Sequence, residues 1–186
     1  EEGRPLRHIS SFDYLLGIDD FSRMGGFRFR ESPGGEFINS SPVLRTPPLT
    51  DIRSLEAATK AIEQSEEANE LPDKKWLTQL LQPGSSLGGA RPKASVVDTD
   101  GTLYIAKFPS RKDDYDVGLW EHFCHQLAIE AGINVAETKV ISAGSKYHTL
   151  LSRRFDRGEE GQRIHFASAM TLLGLSDGDN ASNGYG

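Results

Sequence analysis

The chain has 186 residues and a formal net charge of −6, because 27 acidic residues outnumber 21 basic ones. A surface of this charge does not attract phosphate backbones by itself, so general binding to nucleic acids is a poor first expectation. The single cysteine, Cys124, excludes an internal disulfide bond and a zinc site built from several cysteines.

The N-terminal segment predicts short elements. Residues 11–29 indicate a short helix, a turn and a short strand. The turn signal at residues 32–35 favours a hairpin between residues 27–30 and 36–38. Prolines at positions 42, 47 and 48 then exclude regular structure.

Two helices are predicted after these prolines. Thr50 or Asp51 can cap the first, which should run to about Asn69. Its apolar residues recur at helical spacing: Ile52, Leu55, Ala58 and Ile62. Pro72 would begin the second helix, which continues through Leu81.

A glycine-rich loop and a hairpin follow. The loop at residues 83–90, PGSSLGGA, would let the backbone approach phosphates closely. An ordinary flexible turn is the alternative, because the loop has neither the P-loop spacing nor the usual glycine spacing of protein kinases. Apolar residues on both sides of Asp100-Gly101 indicate two strands joined by a tight turn.

The second strand of this hairpin, at residues 103–108, carries a lysine among apolar residues. The two-residue period of a strand places Lys107 on the same face as Leu103 and Ile105. An ammonium group there must reach water or find an anion, because burying it without a partner is costly. The alternative is an edge strand whose lysine discourages aggregation.

The next helix offers a partner for this lysine. It is predicted to run from Asp113 or Asp114 to about Ala131, and Gly132 is suited to end it. Glu121 lies at the edge of its apolar arc, which contains Val117, Trp120, Phe123, Cys124, Leu127, Ala128 and Ala131. The order of glycine-rich loop, strand lysine and helical glutamate is the order in which a kinase N-lobe builds its nucleotide site.

Two strands and a helix complete the prediction. The strands are expected at residues 135–142 and 147–152, and the helix from near His165 to about Gly174. His122 and His125 stand three residues apart on a helix, but two ligands without a third are usually surface or packing residues. No metal site is therefore expected in the chain.

Residues 84–94, GSSLGGARPKA, closely resemble the signature that begins the kinase domain of HipA-family toxins, which are serine/threonine kinases of type II toxin–antitoxin pairs. Further resemblances follow in the same order: FDYLL at 12–16, RMG at 23–25, IAKFP at 105–109, the helix residues Glu121, Cys124, Leu127, Ala128 and Gly132, and SRRFDR at 152–157. The resemblance spans nearly the whole chain.

The resemblance implies an α+β fold. A protein-kinase-like N-lobe, an antiparallel sheet with helices, would be preceded by part of the HipA N-terminal subdomain and followed by the first C-lobe helix. Residues 1–82 would be the remnant of that subdomain with connecting helices, and residues 83–186 the N-terminal part of the kinase domain. The chain would then be a fragment that lacks the N-terminus and most of the C-lobe.

The resemblance to HipA-family toxins also implies a site for ATP and Mg²⁺ between the lobes. Lys107 would contact the phosphates and Glu121 would hold Lys107. Ser86 matches the glycine-loop serine that such kinases phosphorylate on themselves, with Ser85 as the second candidate. The other residues implied to bind nucleotide are Gly88, Gly89, Ala90, Arg91, Lys93, Arg153, Arg154 and Phe155.

The implied partners are a HipB-like helix-turn-helix antitoxin and a protein substrate of the translation machinery. DNA would be reached only through the antitoxin, and a cytoplasmic location without membrane association is expected. This chain alone is expected to transfer no phosphate, because the catalytic aspartate and asparagine of the family would lie beyond residue 186, and Asp177 and Asp179 lack the surrounding motif. Two alternatives remain: a non-catalytic regulatory or interaction module derived from such a kinase, and a kinase for small molecules.

Overall fold

Four strands of the computed structural model form one antiparallel sheet. The structure describes residues 10–40, 46–71, 73, 91–158 and 160–175. The described strands are β1 (Lys93–Val97), β2 (Leu103–Lys107), β3 (Thr138–Ile141) and β4 (Thr149–Arg153). Their order across the sheet is β1-β2-β4-β3, and each neighbouring pair is antiparallel.

Four helices lie within the described residues: α1 (Ser11–Gly17), α2 (Ile52–Glu67), α3 (Val117–Glu130) and α4 (Ala169–Leu173). Helix α2 follows its predicted course, whereas α3 begins later than predicted, after its cap Asp116. The α+β prediction with an antiparallel sheet is confirmed. The predicted helix at 72–81 and the glycine-rich loop at 83–90 lie outside the described residues.

The turn between β1 and β2 forms at the predicted position. Gly101 has a φ of +86°, a left-handed conformation that glycine adopts without steric cost. Asp100 fixes the turn because its carboxylate accepts the Thr102 N–H at 2.8 Å. The predicted N-terminal hairpin, by contrast, is reduced to a single bridge between Arg30 and Phe37.

The hydrophobic core lies between α2 and one face of the sheet. Ile52 and Leu55 of α2 pack with sheet residues, among them Val96, Ala106 and Leu151. Helix α2 lies before the predicted domain boundary at 82/83, and the sheet lies after that boundary. The two predicted parts therefore share this core. The boundary itself stays a prediction. Helix α3 lies on the opposite face, where Lys107 and Leu150 pair across β2 and β4.

A buried ion pair joins the end of β4 to the N-terminal segment. The side chains of Arg154 and Asp156 are 0% and 1% exposed, and Arg154 donates to Asp156 through Nε at 2.8 Å and Nη2 at 2.6 Å. Arg154 also donates to the Ser22 carbonyl at 2.6 Å, while Asp156 accepts the Gly25 N–H at 2.7 Å. These bonds compensate the cost of burying both charges.

We expect Asp156→Asn to destabilise the protein by about 3 kcal/mol, because the Arg154 guanidinium would remain buried without a countercharge. Thermal or urea unfolding measures the loss. The matched control is Asp98→Asn, which removes an exposed ion pair with Lys139 at 3.0 Å and should cost less than about 1 kcal/mol. Equal losses in the two variants would contradict the structural role assigned to Asp156.

The same carboxylate should make stability depend on pH. Burial alone would raise the pKa of Asp156, but hydrogen bonds from Arg154 and from the Gly25 N–H hold that pKa below its ordinary value. A carboxylate whose pKa is lower in the folded than in the unfolded state stabilises the fold above the unfolded pKa, near ~3.9. Its contribution is lost as the pH falls through the folded pKa, so the stability difference between the parent and Asp156→Asn should shrink below about pH 4.

Candidate functional site

The structure brings Lys107 and Glu121 together. Lys107 is the last residue of β2, and its Nζ lies 2.5 Å from Oε1 of Glu121 on α3. The two side chains are 30% and 29% exposed, so the pair is shielded from solvent on most sides but remains accessible. A lysine fixed in this way presents its charge at a defined place, which is what a bound phosphate requires.

A second lysine lies directly opposite. Lys93 of β1 pairs with Lys107 in the antiparallel register, so both side chains extend from the same face of the sheet. Burial lowers the pKa of Lys93, the cations Lys107 and Arg91 lower it further, and Glu121 acts in the opposite direction. The like charges destabilise the protonated form of Lys93, and an anion bound between the two lysines would relieve that cost.

Arg91 connects the start of β1 to the segment that precedes α3. Its guanidinium binds Asp113 through two nitrogens, at 3.0 and 2.6 Å. Asp113 also accepts the Ser110 N–H at 2.9 Å. Around the two lysines, Arg91 is thus paired with Asp113 and Lys107 with Glu121. The nucleotide-binding role of Arg91 stays a prediction, and its side chain here is engaged by Asp113.

Helix α2 fixes the segment before α3 from the other side. Glu63 accepts the Ser110 hydroxyl at 2.6 Å and the Arg111 N–H at 2.9 Å. The sequence did not predict this contact. A glutamate on an amphipathic helix usually faces solvent, and no local pattern identifies a glutamate that binds a neighbouring segment instead. The segment between β2 and α3 is thus bonded to both β1 and α2.

Helix α3 faces the sheet with its polar side. Trp120, Phe123 and Leu127 are 57%, 48% and 52% exposed, so the apolar arc of the sequence points to solvent. The opposite side makes polar contacts: His122 Nδ1 lies 2.8 Å from the Thr138 hydroxyl, and His125 Nδ1 lies 3.1 Å from the Ala136 carbonyl oxygen. These contacts give both histidines structural partners. Among the described residues, no cluster of side chains that could hold a metal ion occurs.

The predicted adenine-binding residues at the end of β4 differ in their surroundings. Phe155 is exposed, with its ring edge-on to Phe166 at 4.9 Å. Arg153 is half-buried, and its guanidinium lies 3.5 Å from the Glu137 carboxylate. The side chain of Arg154 instead points into the fold, where the Asp156 pair and the N-terminal carbonyls engage it. Nucleotide binding by these three residues stays a prediction, and the conformation of Arg154 leaves its side chain no access to a ligand.

The remaining predicted site residues, Ser85, Ser86, Gly88, Gly89 and Ala90, lie outside the described residues. In the part of the chain that the structure describes, no helix is long and apolar enough to cross a membrane.

Ser95 was not expected from the sequence. It pairs with Ile105 across β1 and β2, so it shares the face of Lys93 and Lys107. Its side chain is buried, and its hydroxyl has no hydrogen-bond partner among the described residues. A serine in a strand gives no sequence signal of this kind.

A model of the family described as the HipA-like C-terminal domain matches residues 85–185, which is more than half of the chain. No curated protein and no solved structure matches.

We expect Ser95→Ala to raise the free energy of unfolding by about 0.5–1 kcal/mol, because it removes a buried hydroxyl that lacks a partner. Thermal unfolding measures the change. Thr138→Val is the matched control: it removes a hydroxyl that contacts His122, and it should destabilise by about 1 kcal/mol. If Ser95→Ala instead destabilises the protein, the Ser95 hydroxyl has a hydrogen-bond partner in solution, which would contradict this prediction.

Proposed function

The chain belongs to the family of the HipA-like C-terminal domain, as its sequence signature predicted, and on that premise we propose that it is the ATP-binding portion of a HipA-like serine/threonine protein kinase toxin. The observation that carries this proposal is the ion pair between Lys107 and Glu121, 2.5 Å apart. In protein kinases, a strand lysine paired with a helix glutamate is part of the machinery that binds and orients the nucleotide.

The positions of the two residues support a kinase-like N-lobe. Helix α3 connects β2 to β3 and lies on the face of the sheet from which Lys107 extends. The glycine-rich loop precedes β1 in the chain, and β1 begins at Lys93, which is paired with Lys107. A triphosphate between that loop and the two lysines would be attracted by the positive charge of both side chains.

The charge of the site fits ATP with Mg²⁺. Lys107 would bind phosphate oxygens, Glu121 would keep Lys107 in position, and Lys93 would supply a second positive charge. Mg²⁺, when bound, neutralises charge on the phosphates. Because no group of three His, Cys, Asp or Glu side chains among the described residues could hold the ion alone, the nucleotide itself would supply part of its coordination. Phe155 and the backbone beside it would contact the adenine.

The reaction we propose is phosphoryl transfer from ATP to a serine of a translation protein, controlled by a DNA-binding antitoxin. This reaction needs the catalytic aspartate and asparagine of the family. Autophosphorylation of Ser86 would oppose ATP binding, because a phosphoserine carries close to two negative charges and would repel the triphosphate.

We expect Glu121→Gln and Lys107→Met to lower kcat/KM of the full-length protein by about 100-fold, because either change removes a charge that positions the triphosphate. Titration calorimetry with ATP and Mg²⁺ and phosphorylation of a protein substrate measure the effect.

The matched control is Lys139→Met, which removes a lysine paired with Asp98 on the other face of the sheet and should leave ATP binding unchanged. Unchanged turnover in the Lys107 and Glu121 variants would refute the proposed site. A full-length protein that binds no ATP would favour the non-catalytic module.

A further inference from the structure

Helix α3 lies close to the start of β4 at Gly118, near the beginning of the helix. Gly118 is buried, and a Cβ atom at this position would overlap the His148 carbonyl oxygen. The same atom would lie 3.3 Å from the His148 carbonyl carbon and 3.4 Å from the Leu150 nitrogen. Backbone atoms at the start of β4 cannot move aside as a flexible side chain can, so only glycine permits this separation.

Asp116 binds the same peptide segment from the neighbouring position. Its carboxylate caps α3 by accepting the Leu119 N–H at 3.0 Å, and it also accepts the His148 N–H at 3.2 Å. The His148 ring adds a third contact, with Nδ1 2.5 Å from Oδ2 of Asp116. The N–H and the carbonyl of His148 are therefore both engaged by the first turn of α3 and its cap.

This contact lies next to the ion pair of the site. Leu150, two residues after His148, is the cross-strand partner of Lys107. Glu121 is one helical turn after Gly118 and therefore on the same side of α3. The close contact of Gly118 and the ion pair of Glu121 therefore both lie on the side of α3 that faces the sheet.

The large apolar side chains of α3 do not determine this separation. Trp120, Phe123 and Leu127 point to solvent, and Gly118 is the one residue of α3 that is buried. His122 and His125 bond to the segment around β3, farther along the helix. At the end of α3 that carries Glu121, the contacts that hold the helix against the sheet are those of Asp116 and Gly118 with His148.

We infer that Asp116 and Gly118 are positioning residues that fix α3 against β4 at the distance at which Glu121 binds Lys107. The consequence for nucleotide binding rests on the function proposed above. The position of the ion pair does not depend on that function.

The first test is a double-mutant cycle in the full-length protein between Gly118→Ala and Glu121→Gln, with ATP affinity as the readout. Gly118→Ala should weaken ATP binding about tenfold, because the helix must move outward. In the Glu121→Gln background it should cause no further loss, since the pair is already broken. The same loss in both backgrounds would overturn the inference, because a general structural defect is additive.

Two controls separate positioning from ordinary effects of the substitution. Gly17→Ala adds a methyl group that meets nothing within 4 Å, and it should leave affinity unchanged. Helix propensity alone would make Gly118→Ala more stable than the parent. A more stable variant with normal affinity would therefore show that the close approach has no positioning role.

Asp116 provides a second route if Gly118→Ala fails to fold. Asp116→Ala removes the cap and the His148 contacts without adding atoms, and it should lower ATP affinity in the Glu121 background but not in the Glu121→Gln background. Asp116→Asn can still cap α3 and accept the His148 N–H, so it should restore most of the affinity. Equal affinities of the Ala and Asn variants would count against positioning by Asp116.

A structural readout keeps this inference distinct from the proposed function. If the parent protein binds no ATP, the proposed function fails. Crystal structures of the unliganded parent and of Gly118→Ala or Asp116→Ala still decide the positioning role. We expect the Lys107 Nζ to Glu121 Oε1 distance to exceed about 4 Å in the variants, beyond ion-pair range. An unchanged distance would overturn the inference.

Discussion

The ion pair between Lys107 and Glu121 depends on a fixed separation between a strand and a helix whose large apolar side chains point to solvent. A hydrophobic contact tolerates small displacements, because its energy varies smoothly with the buried area. A charge-assisted hydrogen bond at 2.5 Å does not, since its energy falls steeply as the atoms separate. The protein meets this demand with directional contacts along α3, from Asp116 and Gly118 at one end to His125 farther on.

Two groups of charges in the structure differ in how far they are buried. At the end of β4, Arg154 and Asp156 are fully buried, and each finds several partners, including backbone groups of residues 22–25. The side chains of Lys107 and Glu121 are only partly buried, so solvent still reaches their ion pair. A fully buried and compensated pair stabilises the fold, whereas a partly exposed charge can be reached by a ligand.

The sequence predicted the elements that depend on local patterns. The course of α2 followed from its apolar period, and the β1–β2 turn followed from Asp100-Gly101. The pairing of Lys107 with Glu121 followed from the order of elements in a kinase N-lobe. The orientation of α3 could not be predicted in this way, because periodicity locates an apolar arc without showing which side faces the protein. The burial of Arg154 and of the Ser95 hydroxyl depends on residues distant in sequence, so neither left a local signal.

The contact between Gly25 and Asp156 joins residues separated by 131 positions. Bringing such distant residues together requires the closure of a long loop, which is slow relative to the formation of helices and hairpins. During synthesis, the N-terminal segment emerges first, but its partners at the end of β4 do not yet exist. We therefore expect this segment to dock late in folding, after translation has passed Arg157.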